Sequence, residues 1–142
     1  MKYEKSRGIS RDKMPQITVA NVPVFLEFML KKGVTYRKER VAVKSLLPTQ
    51  SEYNEAKVKN MVSAPDSVLC APIITSDDDY ILDGHHRYSA VLAQNPNKLM
   101  EIYRVDIPID DLLQYAYAFP LTFYKGINEC KIGFSKFMKL KG

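Results

Sequence analysis

Apolar positions recur along this chain with two different periods, and the changes between them mark its elements. Val24, Phe25, Leu26, Phe28, Met29 and Leu30 give one wide helical face. That helix opens at Pro23 and closes at Gly33 after Lys31 and Lys32, the positions where proline and glycine suit helix ends. A strand signal follows from Val34, clearest at Arg40-Val41-Ala42-Val43-Lys44, and Leu46-Leu47-Pro48-Thr49-Gln50 ends it. Ser51 reads as the N-cap of a second helix with Glu52 in its first turn, running through Ala56, Val58, Met61 and Val62 to about Ser63.

Ala71-Pro72-Ile73-Ile74-Thr75 reads as a buried strand. Ser76 to Asp79 has turn composition, and Tyr80-Ile81-Leu82 returns as the second strand of a hairpin. A helix then starts at His85 with Tyr88, Val91 and Leu92 facing inward. Beyond Pro96-Asn97, Lys98 to Pro108 alternates as a strand around Ile102, Tyr103, Val105 and Ile107. Asp110-Asp111 cap a last helix through Leu112, Leu113, Tyr115 and Phe119. The ends are less regular: residues 1–16 read as a basic arm, and residues 120–142 as an aromatic, basic extension with a helix around Phe134 to Met138.

Composition narrows the class. At 142 residues, with 46% apolar and 26% charged residues, the chain reads as one globular domain. No apolar run approaches the roughly 18 residues of a membrane span, and no secretory core precedes the domain, so the expected setting is cytoplasmic, with no membrane contact. Cys70 and Cys130 stand in no metal-like spacing and read as reduced thiols, which leaves no zinc motif.

The net charge is +5, carried largely at the ends by residues such as Arg7, Arg11 and Lys13, then Lys125, Lys131 and Lys136. Such ends favour polyanions, DNA among them, through counterion release. Arg7, Arg11 and Lys13 are the nucleic-acid candidates. Lysines interleaved with Phe123, Tyr124, Phe134 and Phe137 suit either base stacking or packing of the extension against the domain or a second subunit.

Chemistry concentrates at Ile81-Leu82-Asp83-Gly84-His85-His86-Arg87-Tyr88-Ser89-Ala90, which holds the chain's two histidines side by side. A strand, a glycine turn and a helix start place backbone N–H groups and a positive dipole end together, a setting for anions. Arg87 in the first turn can grip phosphate bidentately. Asp83 is also well placed to do no more than cap the helix.

The Asp83-Gly84-His85-His86-Arg87 box after a short hairpin resembles the signature of the ParB/sulfiredoxin superfamily, in the branch of ADP-dependent free serine kinases and ParB-like nuclease domains. The likeness runs from about Val41 to Ile109. It implies an α+β fold: a small mixed sheet flanked by helices over residues 17–119, with an extra N-terminal helix and a C-terminal helical tail. It further implies a nucleotide, ATP or ADP with CTP as an alternative, whose phosphates are held by Gly84, His85, His86 and Arg87 with Gln50 nearby. Asp83 then holds Mg²⁺, His85 or His86 serves in acid–base chemistry, and Glu52 is the candidate catalytic base ahead of Gln50 and Glu55. Sulfiredoxin activity is not implied, because His85 stands where that motif has its cysteine.

The chain lacks Gly-x4-Gly-Lys-[Ser/Thr], which excludes a Walker-type ATPase. It also lacks room for the helix-turn-helix and dimerisation domains of a partition ParB. A phage or mobile-element protein suits this short basic form. Three readings remain: Mg²⁺-dependent phosphoryl transfer or NTP hydrolysis; a ParB-like DNA-binding protein or nuclease; and a nucleotide-sensing module without turnover.

Overall fold

The computed structural model describes residues 6–51, 55–69 and 71–124. Its centre is a mixed sheet of four strands, β1 Tyr36–Ala42, β2 Ile73–Thr75, β3 Ile81–Asp83 and β4 Leu99–Val105, in the order β1-β4-β2-β3. β4 pairs antiparallel with β1 and parallel with β2, and β3 returns antiparallel beside β2. The described α-helices are α1 Val22–Lys31, α2 Glu55–Val62, the single turn α3 Asp66–Leu69, α4 His85–Gln94 and α5 Ile109–Ala118. The fold is therefore α+β with a mixed sheet.

Strand alternation divides the core in two. Ile73, Ile81, Met100 and Ile102 pack with Tyr88, Ala90 and Val91 of α4 and with Met61 and Val62 of α2. Ile74, Leu82 and Val105 pack with Phe25, Leu26 and Met29 of α1 and with Leu112, Leu113 and Ala116 of α5. All residues of β2 and β3 are buried. This explains their continuous apolar runs, since a strand covered on both faces has no polar side to alternate with.

Local chemistry sets the element ends. Gly33 has φ +83°, its N–H donates to Leu30 O at 2.9 Å, and the Val34 N–H donates to Met29 O at 2.9 Å. These paired bonds close α1 as a Schellman motif. The strand signal clearest at Arg40 to Lys44 proves displaced: β1 starts at Tyr36, and Val43–Ser45 turn as a 3-10 helix. Arg37, Lys38, Glu39 and Arg40 hide the earlier strand residues because β1 is an edge, where charged side chains protect the open ladder.

Capping of α5 differs from expectation. Pro108 is its N-cap, and Asp110 and Asp111 lie exposed in its first turn. The cap arrives from the hairpin turn, where Asp78 Oδ1 accepts the Ile109 N–H at 3.0 Å. The same carboxylate accepts the Ser76 hydroxyl, whose Oγ accepts the Tyr80 N–H at 3.1 Å. Asp79 takes φ +72° in this turn, a left-handed conformation that aspartate tolerates better than most side chains.

The basic arm expected over residues 1–16 is, from residue 6, part of the body. Met14 is wholly buried in the core shared with α1 and α5. The Ile9 N–H donates to Thr49 O at 3.3 Å and the Ser51 N–H donates to Ile9 O at 2.7 Å. Gln16 and Phe123 exchange both backbone hydrogen bonds, at 2.8 and 3.1 Å. Apolar anchors at Ile9, Met14 and Ile17, spaced between charges, draw the segment in. The expected tail helix around Phe134 lies outside the described residues.

Candidate functional site

Gly84 sits between β3 and α4 as the helix N-cap, with φ +102°. A β-carbon there would stand 2.3 Å from Ile73 Cγ2, so both conformation and space demand glycine. Asp83 is accordingly the buried last residue of β3 and not the helix cap. The sheet register shifts between Ile74 and Thr75, directly opposite this strand end, an irregularity of the kind that re-aims side chains near sites. The helix ladder begins with the Tyr88 N–H donating to Gly84 O at 2.9 Å. The amides of His85, His86 and Arg87 therefore precede it and have no acceptor within α4.

His85 opens α4 and is buried. Burial pushes its pKa from 6.5 down to about 3, so the ring is neutral at pH 7. Its Nε2 accepts the backbone N–H groups of Thr49 at 3.0 Å and Gln50 at 3.1 Å, which places the ring proton on Nδ1. An acid–base role near neutral pH does not suit such a ring. His85 is a clamp that holds the Thr49-Gln50 segment against the start of α4. His86, next along, is half-buried and faces the same cavity, described below.

Two buried arginines show opposite behaviour. Arg104 on β4, 8% exposed, reaches Glu39 Oε1 at 2.8 Å, Asp79 Oδ1 at 2.7 Å, and the carbonyls of Ser76 and Asp77 at 3.3 Å. Arg87 is 9% exposed. Its polar neighbours among the described residues are Ala71 O at 3.5 Å and Asp83 Oδ2 at 3.7 Å. Burial pulls the Arg87 guanidinium below its ordinary value, and the Asp83 charge offsets part of that. A guanidinium carries five N–H donors, and burying it without close partners costs several kcal/mol on the order of magnitude for desolvated ions. Arg104 is fully engaged by the fold; Arg87 is not.

Asp83, Gly84, His85, His86 and Arg87 all line a cavity of about 510 Å³. Gln50, as the sequence predicts, joins them there, on the segment that bridges to Ile9. Sequence reading missed Lys57 of α2, which lines the cavity together with Met61 one helical turn on. The signal was their four-residue spacing, which puts a cation and an apolar residue on one face. It also missed the wall formed by Gln16, Ile17, Thr18 and Val19, which Phe123, read from the sequence for base stacking or packing, joins through the bridge between distant segments. Among the described residues no three His, Cys, Asp or Glu side chains group as a metal cage. Asp83 is the carboxylate of this lining, an oxygen donor of the kind hard cations take.

The remaining candidates fall elsewhere. Arg7 forms an ion pair with Asp110, which raises its pKa first through that hydrogen bond, and it lies 5.6 Å from the centre of the Tyr80 ring. Lys13 is exposed. Glu52 and the side chains of Arg11 and Glu55 lie outside the described residues. No family model matches the chain, and no curated protein matches it either.

Proposed function

We propose that the chain binds a nucleotide through its phosphates at the Gly84 turn and carries out Mg²⁺-dependent phosphoryl transfer or hydrolysis there. The observation that carries this reading is Arg87, a buried cation in a cavity wall whose nearest fixed partners among the described residues stand 3.5 and 3.7 Å away. A phosphate at the first turn of α4 supplies the missing acceptors and meets the helix amides as well. Lys57 adds a second positive charge to the same cavity. Asp83 is the carboxylate for Mg²⁺, which neutralises phosphate charge when bound. Positioning and charge neutralisation account for most rate enhancement in such chemistry. Glu52 keeps its role as candidate base for the acceptor hydroxyl or water. The strand–glycine–helix order at residues 81–94, with α2 packed along α4, supports placement in the ParB/sulfiredoxin superfamily.

The net charge of +5 favours the alternative of a ParB-like DNA-binding protein or nuclease. Thermal unfolding with ATP, ADP and CTP, each with and without Mg²⁺, separates the two. A Mg²⁺-dependent rise in Tm that Arg87→Ala abolishes is the expected result. No rise with any nucleotide, together with salt-sensitive DNA affinity, would shift the assignment to DNA. Turnover lost in Glu52→Ala with binding retained distinguishes an enzyme from a sensing module.

A further inference from the structure

The cavity carries more than a phosphate site. Besides the Gly84 turn it is lined by Ile17, Val19, Met61, Val68 and Phe123, and several of these remain open to water. Val19 is 66% exposed, Val68 45% and Phe123 37%. Large apolar side chains left exposed around a cavity mark a ligand contact more often than a folding need. Phe123 is held there by its two backbone bonds to Gln16, so its place in the wall is fixed by main chain and not by side-chain packing alone.

We infer that this wall is the seat of a heteroaromatic base, with Phe123 as its stacking platform, and that the ligand is a nucleotide held at both ends. The inference rests on the phosphate reading of the same cavity and adds to it the class of group beyond the phosphates. Phe123 offers a π face, Met61 a polarisable thioether, and Val19 and Val68 an apolar rim. Gln16 and Thr18 add an amide and a hydroxyl able to meet the polar edge of a base. An aliphatic chain would be better served by a closed, wholly apolar tunnel; a half-open wall of mixed character suits a flat ring with a wet edge. A volume of about 510 Å³ falls within the roughly 300–1,000 Å³ usual for small-molecule sites. Phe123 thus ties the segment after α5 to the ligand site, and no residue of the 81–90 box foretells it.

The chain contains no tryptophan, so Phe123→Trp places a single tryptophan in the wall, excited selectively over the nine tyrosines. Titrations use ATP and inorganic tripolyphosphate, both with Mg²⁺, followed by fluorescence and by calorimetry. ATP is expected to change the emission of Phe123→Trp, and tripolyphosphate to bind by calorimetry while leaving that emission unchanged. Phe123→Ala is expected to weaken ATP about tenfold or more, a typical share for base–aromatic stacking, and tripolyphosphate less than about twofold. Arg87→Ala weakens both. Equal effects of Phe123→Ala on the two ligands, or an emission change with tripolyphosphate alone, would overturn the base seat while leaving the phosphate site standing. If wild type binds neither probe, or Arg87→Ala alters neither, the phosphate reading fails and the base seat with it.

Discussion

The Arg87 guanidinium stands 3.7 Å from the Asp83 carboxylate, across a left-handed glycine, too far for a hydrogen bond and too near for the two charges to ignore each other. Both residues line the cavity at the Gly84 turn, where the proposed phosphate is placed. Arg104, engaged on all sides, shows what this fold does with an arginine it uses only for itself.

The matched change Arg87→Met with Asp83→Asn is therefore expected to leave the ligand-free protein within about 1 kcal/mol of wild type, because it removes both buried charges together. Arg104→Met is expected to lose about 1–3 kcal/mol by leaving Glu39 and Asp79 without their donor. Urea unfolding compares them. Equal losses at both positions would make Arg87 a structural ion.

Gly84→Ala combines a conformation that disfavours a side chain with a β-carbon 2.3 Å from Ile73 Cγ2. Together these are expected to cost about 2–4 kcal/mol. The companion change Ile73→Ala removes that Cγ2, yet adding it is not expected to recover the cost of Gly84→Ala relative to Ile73→Ala alone, since the backbone strain at φ +102° persists. Unfolding midpoints of the single and double variants check this; full recovery in the double variant would reduce the effect to sterics.

His85 gives stability a defined dependence on pH. Its folded pKa of about 3 lies below the ordinary 6.5, so in acid the unfolded chain binds a proton that the folded chain refuses. This contribution is complete above about pH 6.5 and shrinks as pH falls towards 3, by roughly 1.4 kcal/mol per pH unit. Between pH 8 and pH 5 wild type is expected to lose about 2 kcal/mol from this group. His85→Gln keeps an acceptor at the reach of Nε2 for the two amides and should remove most of that slope in urea unfolding measured at both pH values. An unchanged slope would place the acid sensitivity elsewhere.

The trans cap on α5 predicts unequal aspartates. Asp78→Ala leaves the Ile109 N–H without its acceptor and is expected to cost about 1–2 kcal/mol. Asp111→Ala, exposed in the first turn, should stay within about 0.5 kcal/mol. Thermal unfolding of the two variants decides between a cap from the hairpin and a cap from the helix itself.

Elements with strong local signals were legible from residue order. Pro23 and Gly33 bracket α1 closely, and Asp83-Gly84 marks the turn into α4. What stayed hidden depends on partners far along the chain. The acceptor that Asp78 gives α5 cannot be read from the residues around Ile109. The neutral state of His85 follows from its burial against the distant Thr49 and Gln50 amides, and nothing in the His85-His86 doublet tells which ring is buried. Basic residues between Arg7 and Lys13 mask the apolar anchors that dock their segment. The Asp83 to Arg87 box lines one side of the cavity, whereas the opposite wall required the pairing of Gln16 with Phe123.

That pairing makes the two ends of the described chain a single exchange unit. The Gln16 and Phe123 amides each donate to the other residue's carbonyl, so neither can meet solvent deuterium unless both segments part. Their protection thus reports one opening event, and a truncation before Phe123 would expose an amide more than a hundred positions upstream.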